Sequence, residues 1–323
     1  MRRDTLEQFF RRLVLVTLPL APACGGSPSG GGGFCSGQPS EENVIVDGGF
    51  ADGDVVTDTD LGYTQLDPNK GSALCKSWCK PTLPNCTLLD ASVSIVTCGP
   101  PLCLGRRPEG LQMPEPDSGD ELGAWLATCA HLEAASVPAF RTLATELRSY
   151  GAPDSLIAAC ERAARDEVRH ARMTTRLARR HGAEPARVEL DHAEPRDLLA
   201  LALDNAVEGC VREAFGALVA LWQAHTAVDR EVRALAADIA PDEVQHAELA
   251  WTVARFIEPQ LSATERSRID DARHAALDEL LAETARTSAN DVVTRAGLPT
   301  GAAGAALVRA LAGEVLRRER ACA

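Results

Sequence analysis

Two near-identical decapeptides, ARDEVRHARM at 164–173 and APDEVQHAEL at 240–249, each contain Asp-Glu-Val-x-His in a chain with only seven histidines. On a helix, residues three apart share a face. Glu167 with His170, and Glu243 with His246, therefore each offer a carboxylate oxygen and an imidazole nitrogen to one metal ion, a donor mixture suited to first-row transition metals. Spacing alone is weak evidence. Glu189-x-x-His192 and Asp271-x-x-His274 repeat it, the first in a polar stretch with no apolar stripe, and both read as solvated. What separates the first two pairs is position on an apolar helix face.

The elements that must position them follow from 3.6-residue periodicity. Residues 119–257 read as four long helices, about 119–149, 155–181, 195–224 and 227–257. Ser118-x-x-Glu121 is a capping box for the first and Asp154 caps the second. Thr226 and Asp229 stand at the start of the fourth. Only a few residues separate helices 1 and 2, and helices 3 and 4, so each pair should fold back as a hairpin. GAEPARVELDHAE, between helices 2 and 3, is 13 residues long and reaches about 43 Å at ~3.3 Å per residue. A 28-residue helix is ~42 Å long, so this segment can traverse the whole bundle. The expected fold is mainly α: a four-helix bundle with one long crossover, followed by accessory helices in 258–323.

Each helix then aims one acid along its apolar stripe: Glu133 with Leu122, Leu126, Cys129 and Phe140; Glu167 with Leu156, Ala163 and Leu177; Glu208 with Leu201, Val211, Phe215 and Trp222; Glu243 with Val232, Ile239, Val253 and Ile257. All four lie near mid-helix, hence in one layer. Four carboxylates cannot remain charged and unpaired in an apolar core. Two divalent ions would neutralise them, with His170 and His246 completing the ligand set. Glu213 is the rival to Glu208; it shares a face with Ala206, Cys210, Ala217 and Ala220 and reads as facing a neighbouring helix or solvent. Cys129 reads as a small core residue, and His131 and His225 fall off the stripes and read as solvated. Pro138 and Pro241 flank the ligand layer, where the helices either open locally or restart.

The pattern Glu133; Glu167-x-x-His170; Glu208; Glu243-x-x-His246 resembles the carboxylate-bridged di-iron site of the ferritin-like superfamily. EAASVPAF, NAVEGCVREAF and DEVQHAELAW are similar in particular to ferritin-like proteins with Cys-rich exported leaders found in myxobacteria. The resemblance covers 119–257. It implies two metal ions, iron or else manganese, with Glu133 and Glu243 terminal or bridging, Glu167 and Glu208 bridging, and one histidine capping each ion. It also implies O2 or peroxide as the co-reactant and electrons from a separate donor. Tyr63 and Tyr150 are the only tyrosines and lie away from the ligand layer, which argues against a tyrosyl radical. The paired Cys-x-x-Cys motifs of a built-in rubredoxin-type donor are lacking.

The N-terminal third reads differently. Residues 1–23, a basic lead followed by LVLVTLPLAPA, read as an export signal. Ala21-Pro22-Ala23 fits ordinary cleavage, while Cys24 before GGSPSGGGG fits a lipidation site and a flexible tether over 24–40, with Ala21 where a lipoprotein box usually has Leu. Residues 41–110 read as a small module of strands and loops. Its six cysteines, Cys35 just upstream and Cys75, Cys79, Cys86, Cys98 and Cys103 within it, are disulfide candidates; Cys75-x3-Cys79 as half of a zinc site lacks a second pair. The expected location is the cell envelope, with membrane attachment through the lipid. A net charge of −13 excludes nucleic-acid backbones as partners. Three functions stay open: an O2- or peroxide-activating oxidoreductase, an iron-binding ferroxidase-type protein without organic substrate, and a structural envelope lipoprotein with a vestigial site.

Overall fold

The computed structural model describes residues 6–17, the backbone of five short strands between 42 and 99, residues 106, 108, 111 and 112, and residues 120–190, 196–285, 291–299 and 301–322. Among these the chain is mainly helical. Helix α1 is Leu6–Thr17, and α2 (Glu121–Ser149) and α3 (Asp154–Arg180) follow the strand region. The next long helical rod is composite: α4 (Leu198–Asp204), a π-helix (Asn205–Glu213) and α5 (Ala214–Thr226). Then come α6 (Arg230–Ile257), a 3₁₀ turn (Glu258–Gln260), α7 (Ala263–Ala285), α8 (Asp291–Ala296) and α9 (Gly301–Cys322).

The strands β1 (Glu42–Ile45), β2 (Val55–Asp58), β3 (Tyr63–Leu66), β4 (Asn85–Asp90) and β5 (Ile95–Gly99) form an antiparallel sheet of order β1-β5-β4 and a separate β2-β3 pair. Their register sets Cys86 opposite Cys98. The lipidation candidate Cys24 and the disulfide candidates Cys35, Cys75, Cys79 and Cys103 lie outside the described residues, as does Ser118, and of Cys86 and Cys98 only the backbone is described.

Helices α2 and α3 pack along one another, as do α5 and α6, and α3 and the π-helix both lie against α6. Asp120 caps α2, accepting a hydrogen bond from Gly123 N at 2.7 Å. Pro153 precedes α3 without a side-chain cap, and Asp229 caps α6 by accepting from Glu231 N and Val232 N. Gly151, at φ +73°, turns the chain between α2 and α3 in a conformation that L side chains rarely adopt. Both prolines are accommodated within α2 and α6, so neither helix restarts there.

The core is divided. One apolar cluster, with Leu122, Leu126, Leu132, Leu177, Phe215, Leu218, Trp222, Val232 and Ile239, fills one part of the helical assembly. A second, with Phe140, Leu143, Leu147, Leu156, Ile157, Leu201, Val253 and Ile257, fills another. The switch from one cluster to the other falls between Ala164 and Leu177 along α3, around Glu167 and His170, and between Ala135 and Phe140 along α2, just after Glu133, while α6 contributes to both clusters beyond His246. The expected leader segment joins this core: α1 packs on α5, α6 and α9, and Phe10 and Val14 are fully buried in the first cluster.

The segment after α3 runs back along α2, pairing Leu190 with Leu111 and placing Glu189 O to accept from Gln112 N at 3.2 Å. His131, expected to be solvated, is instead 3% exposed, its ring nitrogens 3.2 Å from Ala186 O and 3.0 Å from Gln112 O. Arg106, Leu111, Gln112 and residues 183–190 cover a face of α2 that helical periodicity leaves for solvent, which is why a ring off the stripe is buried. His225 is exposed, as expected.

At the start of α4 a clamp ends the crossover. Arg196 donates to both oxygens of buried Glu146, Nε at 3.0 Å and Nη2 at 2.6 Å, and pairs with Asp204 at 2.9 Å. Tyr150 Oη donates to Arg196 O at 2.8 Å. Substituting Arg196→Ala strands Glu146 without its counter-ion, and removing one partner of a buried pair typically costs about 3–5 kcal/mol. Urea unfolding is expected to show a loss of that order, and the double variant Arg196→Met with Glu146→Met a smaller one.

Candidate metal centre

Glu133 from α2, Glu167 and His170 from α3, and Glu243 from α6 converge between the two apolar clusters. One ligand atom from each can be chosen so that all four lie within 4.8 Å of one another. His170 is fully buried, and the three carboxylates are at most 5% exposed. His170 Nδ1 lies 3.0 Å from Glu243 Oε1, 3.5 Å from Glu133 Oε2 and 3.8 Å from Glu167 Oε2. His246, 2% exposed, adjoins the group with Nδ1 3.1 Å from Glu167 Oε1, and the two imidazole centroids are 5.9 Å apart.

The pairing is reciprocal between the two decapeptides. Each histidine turns Nδ1 to the glutamate of the other copy and Nε2 to the aspartate before that glutamate. His170 Nε2 is 3.2 Å from Asp242 Oδ2, and His246 Nε2 is 3.7 Å from Asp166 Oδ2. Arg169 ion-pairs with Asp242 in turn. Asp166 and Asp242, whose place in the repeat carried no assigned role in the sequence, thus stand behind the imidazoles. Such carboxylate partners fix the ring orientation and tautomer of a metal-binding histidine.

Whether these residues fit a metal ion can be judged from their unsatisfied atoms. Glu167 Oε2, His170 Nδ1, Glu243 Oε1 and both ring nitrogens of His246 are buried without a hydrogen-bond partner, close as they are to one another. Native proteins seldom leave such atoms orphaned. Short contacts without hydrogen-bond geometry bring these ligand atoms together on shared space. Three carboxylates and an imidazole suit iron or manganese, so the residues fit.

Without an ion the charges strain against each other. Burial, and after it the Glu133 charge, pushes the Glu167 carboxyl well above its usual range. Burial also penalises the charged imidazole of His170, yet contacts with Glu133 and Glu243 outweigh it and hold His170 up to about 12. His246 is raised likewise, against burial, by Asp166 and Glu167. Glu243 is lowered, His170 overcoming the effect of burial.

The fourth expected acid is elsewhere. Glu208 is half-buried on the outer side of the rod, 3.7 Å from Arg212, which itself reaches Glu279 of α7 at 2.7 Å. The reason is the π-helix: its i→i+5 turn is wider than the α-helical one on which the stripe was read. The register slips, and Glu213 rather than Glu208 is the fully enclosed acid, 5% exposed. Glu213, expected to face a neighbouring helix or solvent, is therefore not solvated. It meets Arg106, with Nε 3.2 Å from Oε1. Burial pushes Glu213 up to about 7 against the pull of Arg106. Arg106, 3% exposed, belongs to the Pro- and Gly-rich stretch before α2. No periodicity marks it, so sequence reasoning could not find it.

Cys129 is buried in the apolar cluster beside this layer. A cavity of about 30 Å³ lies against Glu133, lined also by Trp125, Cys129, Thr174, Val232 and Ile239. On the other side, a cleft of about 600 Å³ between α3 and α6 reaches Asp166, Asp242 and His246, with Arg162 and Arg165 among its walls.

No protein-family model matches the chain, and no curated protein or solved structure matches it.

A metal ion must displace the proton that the carboxylates hold on His170, so binding releases protons. Because that imidazole titrates far above neutrality, affinity should climb as pH rises from 6 to 8, about tenfold per unit for each proton displaced. Calorimetry of Co2+ binding in buffers of different ionisation enthalpy measures that release. Binding independent of pH would mean that the histidines are not ligands.

Proposed function

We propose that the chain is a ferritin-like iron protein of the cell envelope whose Glu133, Glu167, His170, Glu243 and His246 layer binds iron and supports oxidation by O2 or peroxide. The observation that carries this is the set of buried, unpartnered donor atoms converging from separate helices. Bound iron would supply one-electron redox chemistry. Glu133, Glu167 and Glu243 would hold it by charge and His170 would contribute a neutral donor, with Asp242 orienting that ring, while His246 stands beside Glu167 at the edge of the layer with Asp166 behind it. The apolar clusters on either side exclude bulk water from the layer. The four-helix arrangement with one crossover belongs to the same proposal; the resemblance implies two ions, and the number that this chain holds is taken up below.

The cavity at Glu133 favours the ferroxidase-type version. At about 30 Å³ it has room for one or two water-sized molecules. It suits O2 or peroxide. Electrons and iron come from outside partners. Export, with lipid attachment at Cys24, rests on the basic and apolar leader and the Gly/Ser-rich stretch behind Cys24. Among the described residues no helix is long and apolar enough to cross a membrane. Mass spectrometry of the mature N-terminus decides this part, and an unmodified Met1 on native protein would sink it.

The central experiment strips the full chain with EDTA, adds Fe2+ without oxygen, and then follows iron content and optical absorption on admitting O2. Iron retained through desalting and oxidised without an organic substrate is the expected result. Metal-free protein that stays folded and takes up no iron would end the proposal. Glu167→Ala combined with Glu243→Ala should abolish iron retention while raising the thermal stability of the metal-free chain, because buried like charges are removed.

A further inference from the structure

The helix rod Leu198–Thr226 faces the ligand layer, yet the acid it buries is already engaged. Arg106 enters from the segment before α2 and is fixed at several points. Its carbonyl accepts from Ser136 Oγ at 3.1 Å, one turn beyond Glu133. Its Nη2 donates to Asn205 Oδ1 at 3.3 Å, while Asn205 Nδ2 donates to Ala250 O at 2.9 Å and so holds the amide oxygen toward the guanidinium. The guanidinium carbon sits 5.3 Å from the centre of the Phe140 ring, and that ring is 5.1 Å from His246.

Space for it has been cleared. A Cβ at Gly209 would come within 2.6 Å of Arg106 Nη2, 2.7 Å of Ala250 Cβ and 2.9 Å of Asn205 Oδ1. Glycine in mid-helix is costly, and here it lies in the middle of the π-helix, where the wider turn lets a side chain enter. Glu213 is close enough to His246 and Glu243 to feel both charges. Glu213 Oε2 and both nitrogens of His246 remain buried without partners. Donors for a second ion are therefore present, and a fixed cation is paired with one of them, Glu213, on the Phe140 ring that His246 also packs against.

We propose that the Arg106 guanidinium occupies the place of a second metal ion, so that the folded chain takes one ion, at Glu133, Glu167, His170 and Glu243, with Glu213 committed to Arg106. Charge supports the same count. The three ligand carboxylates require one multivalent cation, and Glu213 is already neutralised. A second divalent ion beside a guanidinium in a buried layer would be repelled strongly, because little solvent screens the pair. Removing the guanidinium frees Glu213 and His246 to take another ion. This inference rests on the metal-binding reading above.

The test counts Co2+, added without oxygen to the EDTA-stripped full chain, by calorimetry and by elemental analysis after desalting. Wild type should bind one ion per chain and Arg106→Met two, with Arg106→Met/Glu213→Gln returning to one. Glu213→Gln alone should leave the wild-type count at one and its affinity within about twofold, since here Glu213 is no ligand. This arm does not depend on Arg106→Met folding. Two ions in wild type, a fall in count in Glu213→Gln, or one ion in folded Arg106→Met would each overturn the proposal. No Co2+ on wild type at all would overturn the metal reading itself, and this inference with it, and is distinguishable from those three.

Discussion

Three carboxylates packed into the seam between two apolar clusters set the terms for everything around them. Left bare, Glu133, Glu167 and Glu243 repel one another in a medium that screens poorly. The structure answers with imidazoles drawn from opposing helices, aspartates behind the imidazoles, and donor atoms that share space without bonding to one another. Buried carboxylates need counter-charge, and the arrangement gives an added cation a better place than any hydrogen bond available inside the layer.

The same constraint explains the irregular rod. A regular helix through 198–226 would keep Glu208 on the inner stripe. The π-helix turns Glu208 toward Arg212 and α7 and brings Glu213 inward, where Arg106 meets it. Gly209 and Asn205 belong to this detour: one gives the guanidinium room and the other a hydrogen bond. Elsewhere, buried charge is handled in the same way by protein cations. Arg273 pairs with Glu258 beside Trp251, and Arg318 pairs with Glu248 and Glu314.

Helix positions were largely legible in the sequence, because Ala- and Leu-rich stripes with Asp caps determine them locally. So was the convergence of Glu133, Glu167, His170 and Glu243, since four residues on uninterrupted α-helices keep the phase that periodicity assigns. Glu208 was not, because a single π-helical stretch breaks that phase and leaves no mark on hydrophobic spacing. His131 and Arg106 were illegible for another reason. Their burial depends on segments lying across α2, and irregular chain carries no period from which its docking could be read. The packing of Phe10 and Val14 against the core likewise lay beyond a reading of residues 1–23 as a leader.

The reciprocal pairing of the two Asp-Glu-Val-x-His copies has a kinetic consequence. Glu167 and Glu243 each find their nearest imidazole on the other hairpin, because His170 serves Glu243 and His246 serves Glu167, while Glu133 meets His170 within its own hairpin. Each hairpin can form from local contacts while its carboxylates are still hydrated. Their dehydration is deferred to the step in which the hairpins dock, which also requires closing the chain between α3 and α4. Docking is therefore the charge-sensitive step of assembly, since it is there that the carboxylates lose their water.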